Sequence, residues 1–534
     1  MNLQIIQEIR KKGLLLEREV FELLKFVNNE SLASEILESL ERTGKKMITK
    51  SLLSEQFGII SKIINESPDK KEEVSAEKIF IKLGISIEIS KKKSVGEIVD
   101  TKTILKEGQE GKDFKIFYAD TKPDKKLEVK DFSGHFKSRY QQIQKFLMQR
   151  PELTNLVSIG KISGDRQSLS LIGIVTEKRI TKNKNLIVCI EDLTGEINVL
   201  FKTENQKLTY DLSEIQLDDV IGVKGSGNRD MVFAYDLFYP DCFLLEKTRF
   251  NEDFSVAFIS DIHAGSLKHL GSEFEKFLRW INSDSTDAQK IKYLFIVGDN
   301  VDGVGIFPQQ ENLLRLKSMR EQYDLLASYL NQIPKRITMF MCPGQHDASR
   351  VAEPQPIISR KYAETLYNIE NLILVTNPTM IKLLEGEKEF KVLMYHGASI
   401  HTFISEIPEL RLSKAHKSPA KAVRHMLKRR HLSPIHGDAV YIPNVEKDPL
   451  VIEEAPDVLC TGEVHRLDIE TYNGTLIITG SCWQSQTPFE EKVGNIPDPC
   501  KVPVLNLKTR ELKIFDFSED WDEENKEGYN ENRD

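Results

Sequence analysis

From Phe254 to Phe517 the chain repeats one unit, a short apolar run of β character that stops at a glycine or at a side chain capable of chemistry. FSVAFIS runs into Asp261 and His263, YLFIVGD into Asp299 and Asp302, and ITMFMCPG into Gln345, His346 and Asp347. KVLMYHG carries His396, and DVLCTGEVH carries Glu463 and His465. Helical segments such as GSEFEKFLRWINS and QENLLRLKSMREQYDLLASYLNQI separate several of these runs. Strands that are apolar throughout need cover on both faces, and in such sheets functional groups collect beyond the carboxyl ends. Carboxylates, imidazoles and an amide gathered there suit two divalent cations, manganese first, with iron or magnesium as alternatives. A shared carboxylate would hold such a pair close enough to make hydroxide from water and to neutralise a phosphate. One DxH or one GDxxD alone is usually a turn or a cap, and His346 alone could be a satisfied core histidine. The ordered series carries the argument.

The rest of the chain reads as further domains, since 534 residues exceed one ordinary core. Residues 1–65 show helical spacing of Leu, Ile and Phe and read as a small helical domain. Residues 66–150 read as a linker and a poorly defined region, polar and charged near NESPDKKEEVSAEK, and end in a helix from Phe136 to Met148 stopped near Pro151. Residues 151–250 carry about five closely spaced strands, with Thr194 and Gly195 as a hairpin turn, and fit an OB-type β-barrel or a generic small β-domain with no nucleic-acid role. Residues 251–517 form the strand-and-helix domain, and 518–534 form an acidic tail expected to be disordered. The fold class expected is α+β and multidomain.

Charge decides less than its total suggests. The formal net charge is -8, but Glu519 to Asp534 alone hold eight acids and two bases, which leaves the remainder near neutral. A nucleic-acid surface would therefore be a local patch. Arg411 to His431 offers one, with eight Lys or Arg and no acid. Ser418 and Pro419 read as N-cap and first helical residue, which puts Lys421, Arg424 and Lys428 on one face and Val423, Met426 and Leu427 inward. That face is either an ordinary solvated one or a track for a DNA backbone. No apolar run is long enough to span a membrane, and the six cysteines lack CxxC spacing, as expected for thiols of a reducing cytoplasm.

The order D-x-H, GDxxD, G-x-H-D, H-G, G-x-x-H resembles the calcineurin-like metallophosphoesterase superfamily. GDNVDGVGIFPQQENLL, PGQHDASRVAEPQP, LKRRHLSPIHG, APDVLCTGEVHR and SCWQSQTPFE narrow the resemblance to the small subunits of archaeal D-family DNA polymerases. It implies a calcineurin-like α/β phosphoesterase domain with metal-dependent 3'-5' exonuclease activity on DNA, and a large catalytic subunit as partner. It also places Asp261, His263 and His465 on one metal, with Asp299 bridging to a second held by Gln345, His396 and Glu463. His346 would be the general acid or transition-state stabiliser, set in place by Asp347 or a nearby carboxylate. Two positions depart from the superfamily, which usually has Asn in place of Gln345 and His in place of Glu463, and both fall on the second metal. The rival readings are a stand-alone repair nuclease or protein phosphatase, and a non-catalytic scaffold component of the polymerase.

Overall fold

The computed structural model describes residues 106–111, 113–122, 126–202 and 212–518, with a few isolated positions earlier in the chain. The chain divides into two units, Met1–Thr101 and Lys102–Asp534. In the first, Leu15–Leu16 pairs in parallel with Met47–Ile48. Apart from those strands and a helical turn at residues 37–39, the expected 1–65 helical domain lies outside the described residues, as does the acidic tail from 519 onward.

The second unit opens with β1 (Lys106–Gly111), β2 (Phe114–Tyr118) and helix α1 (Val129–Leu147). Strands β3 (Gln167–Ile180), β4 (Leu186–Asp192), β5 (Gly195–Phe201), β6 (Val220–Gly227) and β7 (Val232–Phe238) then close into a barrel in the order β3-β4-β5-β7-β6. The β4–β5 hairpin turns where Asp192 Oδ1 accepts from the backbone N–H of Thr194 and of Gly195, at 2.7 and 3.1 Å. Leu171, Val188, Val199, Val223 and Val232 fill the barrel without any exposed surface.

The main elements that follow are β8 (Ser255–Ser260), α2 (Gly271–Ile281), β9 (Ile291–Val297), α3 (Met319–Leu330), β10 (Thr338–Cys342), β11 (Leu372–Leu374), β12 (Thr379–Glu385), β13 (Lys388–Met394), α4 (Ala420–Arg429), β14 (Val458–Thr461), β15 (Asp468–Tyr472), β16 (Thr475–Thr479), α5 (Pro488–Val493), β17 (Lys501–Asn506) and β18 (Leu512–Asp516). They form a six-stranded sheet, β11-β10-β9-β8-β17-β18, and a seven-stranded one, β15-β16-β14-β13-β12-β2-β1. The two sheets share a core in which Phe258, Phe295 and Phe340 meet Ile381, Val392, Met394 and Cys460. The outer face of the first sheet is covered by α2 and α3 through Phe274, Phe277, Trp280, Tyr323 and Leu326. The outer face of the second is covered by Phe403, Val423, Met426 and Leu427. Each central strand is thus apolar throughout because it is covered on both sides, by a sheet and by helices.

Two features differ from the sequence reading. The poorly defined region before the expected Phe136 helix supplies β1 and β2, and β2 pairs antiparallel with β12, from Thr379 opposite Tyr118 to Leu383 opposite Phe114. Lysine-rich flanks hid this edge hairpin. Helix α1 starts at Val129 rather than Phe136. Asp131 accepts from the backbone N–H of Glu128 at 2.9 Å and fixes the start, while Ser133 and Gly134 had obscured it. Among the described residues no helix is long and apolar enough to cross a membrane. All six cysteines are free.

Helix α1 is tied to the second sheet's side by a buried ionic hub. Asp448 Oδ2 lies 2.7 Å from Arg139 Nε, 2.8 Å from His431 Nε2 and 3.2 Å from His135 Nε2. Burial alone would raise the Asp448 carboxyl, but His431, Arg139 and His135 hold it well below the usual carboxylate range. Burial, with the Arg139 charge, pushes His431 down to about 4. Removing one partner of a buried pair strands the other, so Asp448→Ala should cost about 3–5 kcal/mol in urea unfolding. The pH sign follows from both shifts. The unfolded chain takes up a proton at His431 below its ordinary value of 6.5 while the folded chain waits until about 4. Asp448 stabilises the fold above its ordinary 3.8 and loses that contribution as pH falls through its lower folded value. The parent should therefore lose stability as pH drops from 6.5 toward 4, read as a falling urea midpoint, and Asp448→Ala should lose at least as much over the same range, because the carboxylate that raises His431 is gone.

Candidate metal centre

The clusters read from the sequence stand beyond the carboxyl ends of β8, β9 and β10 in one sheet and of β13 and β14 in the other. Both sheets present these ends to one rim. Hydrogen bonding between β8 and β9 continues past the strands, with Asp261 N–H donating to Gly298 O at 3.1 Å and His263 N–H to Asp299 O at 3.0 Å. Five of the ligand candidates have left-handed backbones: Asp261 (φ 50°), His263 (48°), Asp299 (45°), Glu463 (74°) and His465 (58°). Side chains with a Cβ avoid this region at a cost of roughly 1–3 kcal/mol each, and surrounding structure must hold them there. The conformation turns each side chain out of the strand direction and into the crevice.

Glycines make room for the convergence. A Cβ on Gly298, itself at φ 71°, would sit 2.1 Å from His396 Nδ1. One on Gly344 would sit 2.2 Å from Asp299 Oδ1, and one on Gly462 2.5 Å from Asp261 Oδ2.

Four imidazoles share one orientation. His263 Nδ1 contacts Asp302 Oδ1 at 3.0 Å, and His465 Nδ1 contacts Glu490 Oε1 at 3.0 Å. His396 Nδ1 donates to Val297 O at 3.1 Å, and His346 Nδ1 donates to Asp302 O at 2.7 Å. With each Nδ1 committed as a donor, each Nε2 is the nitrogen left for the crevice, the arrangement typical of metal-binding histidines. His263 Nε2 and His465 Nε2 face one another at 3.1 Å, so a proton or a cation must separate their lone pairs. His396 Nε2 lies 3.3 Å from Asp299 Oδ1, 3.3 Å from Glu463 Oε2 and 4.0 Å from Asp261 Oδ1.

Two groups with metal-ligand geometry result: Asp261 with His263 and His465, and Asp261 with Asp299 and His396. Asp261 belongs to both. A third group joins His263, Asp302 and His346. Gln345 and Glu463 meet each other, with Gln345 Nε2 donating to Glu463 Oε2 at 2.8 Å. The donor set fits divalent cations on a direct observation: Asp261 Oδ2, Gln345 Oε1 and His396 Nε2 are buried without a hydrogen-bond partner. Buried polar atoms are almost always paired, and three such atoms in one crevice mark a place for a ligand.

The electrostatics agree. Burial alone would lower His465, but Asp261 and Glu490 push it up to about 10. Burial likewise opposes His396 and His346, and the carboxylate of Asp299 outweighs it and raises both. Burial would raise Asp299, whereas His396, His346 and His263 hold it well below the usual range. Imidazoles that cling to protons report a site with excess negative charge.

The structure also revises the supporting cast. Asp347 does not orient His346; it accepts from Asn300 N at 3.1 Å, Gly344 N at 2.9 Å and Tyr323 OH at 2.9 Å, and so builds the loop. The main-chain carbonyl of Asp302 holds His346 instead. Burial, with the Asp299 charge, raises Asp347 to about 6. Sequence reasoning missed Glu490, although Thr487 and Glu490 form a capping box at the start of α5 that was legible as TPFE. It also missed Gln484, which donates to Asp302 Oδ1 at 3.0 Å, and His401, whose Nε2 lies 3.6 Å from Glu463 Oε1. Helix α4 starts one residue later than expected, with Pro419 as its N-cap. Of its three basic candidates Lys421 is exposed, while Arg424 faces Glu470 at 3.4 Å and Lys428 bonds the buried Glu214.

A family of polymerase components, the B-subunits of DNA polymerases alpha and epsilon, matches residues 256–467. A DNA polymerase II small subunit of Methanothermobacter thermautotrophicus is 38% identical over 73% of this chain and 80% of its own length. The protein of the same name from Pyrococcus furiosus is 36% identical over 73% of this chain and 64% of its own length. That of Archaeoglobus fulgidus is 36% identical over 73% and 78% respectively.

The glycine cradle yields a test. Gly462 is the one of the three cradle glycines facing both Asp261, at 2.5 Å, and His396, at 3.0 Å from a built Cβ, and it has no positive φ. Gly462→Ala should therefore crowd the ligands, and the Val297 carbonyl at 2.9 Å, without adding an unfavourable φ. The variant should destabilise the metal-free chain by about 1–3 kcal/mol, and its manganese content after dialysis should fall below the parent's.

Proposed function

The chain belongs to the family of archaeal DNA polymerase II small subunits, and on that premise we propose that it is the metal-dependent 3'-5' exonuclease component of a DNA polymerase whose large catalytic subunit carries out synthesis in DNA replication. The barrel is read as an OB fold, and the paired sheets with their helices as a calcineurin-like phosphoesterase domain. The observation that carries the activity is the set of imidazoles whose Nε2 atoms converge with the partnerless Asp261 Oδ2 and Gln345 Oε1.

Asp261, His263 and His465 would hold one cation and Asp299, Gln345, His396 and Glu463 the other; Asp299 is the bridge that the family pattern implies, and Asp261, which belongs to both ligand groups, stands beside it. Two divalent cations, manganese being the first candidate, supply Lewis acidity toward a phosphodiester and lower the pKa of water. The chain's own residues orient and transfer. His346, anchored at Nδ1 by Asp302 O, keeps Nε2 directed to the crevice 3.8 Å from Asp299 Oδ2. As water adds to the terminal phosphorus and releases a proton to solvent, the bond to the preceding 3' oxygen breaks and His346 Nε2 gives that oxygen its proton. Lys421, exposed on α4, is the remaining candidate there for a DNA phosphate, since Arg424 and Lys428 face acids.

One observation favours the scaffold reading. Gln345 and Glu463 satisfy each other at 2.8 Å, so the second half of the site is partly closed without a cation. Two experiments decide. With manganese and a single-stranded or mispaired 3' end, the parent should release mononucleotides, and Asp299→Ala should lower the rate more than about a hundredfold, beyond the 10–100-fold typical of outer partners. Undiminished cleavage would show the site to be misassigned.

The second experiment treats Gln345 and Glu463 as a compensated pair. Gln345→Asn with Glu463→His should preserve or raise hydrolysis, while either change alone should do worse. The coupling between them should exceed about 0.5 kcal/mol. Parent and double variant both inactive, with the second site empty of manganese, would establish the scaffold instead.

A further inference from the structure

We propose that His401 is a positioning residue for the second cation, holding the outer oxygen of Glu463 so that its inner oxygen faces the metal together with His396, Asp299 and Gln345. This rests on the two-cation reading above and assigns a residue that reading leaves out.

The two oxygens of Glu463 have different neighbours. Oε2 takes the Gln345 amide at 2.8 Å and lies 3.3 Å from His396 Nε2. Oε1 faces His401 Nε2 at 3.6 Å, just beyond hydrogen-bond length and within reach of a small side-chain rotation. The segment that delivers His396 also delivers His401, since the helix Ile400–Glu406 starts shortly after β13. His396 and His401 thus stand at different oxygens of one carboxylate. Gly397, at φ 122°, keeps this segment close; a Cβ there would sit 3.4 Å from Glu463 Cβ.

The His401 ring has an aromatic neighbour. It lies beside the ring of His416, centroids 5.5 Å apart and planes inclined by 33°. Its side chain is 47% exposed, whereas that of Glu463 is 19% exposed, so His401 stands at the mouth and Glu463 behind it. Glutamate needs such a partner more than a histidine would. It brings an additional negative charge next to Asp261 and Asp299, and it has one more rotatable bond to fix. Carboxylate ligands are themselves held by outer donors, and losing such a donor costs 10–100-fold in metal affinity.

The test is titration of the metal-free, full-length chain with manganese alone. The parent should bind two ions. His401→Ala should weaken the lower-affinity site by about 10–100-fold and leave the other unchanged, with the unfolding midpoint of the metal-free chain unaltered. His401→Gln keeps an N–H at similar reach and should recover most of the loss. In a Glu463→His background the His401→Ala change should have no effect, because the carboxylate it serves is gone. Parent-like affinities in His401→Ala would overturn the proposal, and so would an equal loss at both sites or a loss that persists without Glu463. A parent that binds fewer than two ions overturns the two-cation reading and this inference together. Two bound ions with no nuclease activity would sink the exonuclease reading alone and leave the role of His401 standing.

Discussion

Three carboxylates, those of Asp261, Asp299 and Glu463, stand within 4.0 Å of one buried imidazole nitrogen, His396 Nε2. Like charges this close and this far from water repel strongly unless positive charge is placed among them. In the protein alone the compensation comes from protons on His396, His346 and His465, all of which are held more tightly than usual. The surrounding fold is arranged so that this crowding cannot relax. Left-handed backbones aim the side chains, glycines let the loops touch, and Nδ1 partners prevent the rings from turning. The rigidity is supplied by two sheets whose central strands are apolar on both faces.

The basic stretch before the last ligands serves the architecture first. Arg429 is almost fully buried and bonds Asp219 at 2.7 Å, next to Lys428 on Glu214. Both acids belong to the segment that leads into β6 of the barrel. Charge that looked like a surface in the sequence is therefore partly a joint between the barrel and the helices on the second sheet. Buried ionic joints of this sort fix geometry more than they add stability.

The strand-end series was legible because each member follows an apolar run directly, so that Asp261, Asp299, Gln345, His396 and Glu463 could be placed on one rim without knowing the strand order. The mixed, multidomain α+β class was equally legible from the change in strand spacing near residue 250. What stayed hidden lay where identity alone does not reveal direction. Asp302 and Asp347 are both carboxylates near His346, yet one lends His346 its backbone carbonyl and the other bonds loop amides. Glu490 is far from His465 in sequence, and only the packing of α5 brings them to 3.0 Å. Strands β1 and β2 went unplaced because lysine-rich flanks interrupt their short apolar pattern.

That edge hairpin has a consequence for how the chain is assembled. Tyr118 pairs with Thr379, about 260 residues later, and the whole barrel lies between them in sequence. During synthesis the hairpin must wait, unpaired, while the barrel and the first four strands of the other sheet emerge. The barrel is therefore inserted between β2 of one sheet and β8 of the other. A fragment beginning at the barrel would leave β12 with an open edge able to recruit a foreign strand. The segment that looks most dispensable in the sequence is a clasp that seals the sheet against aggregation.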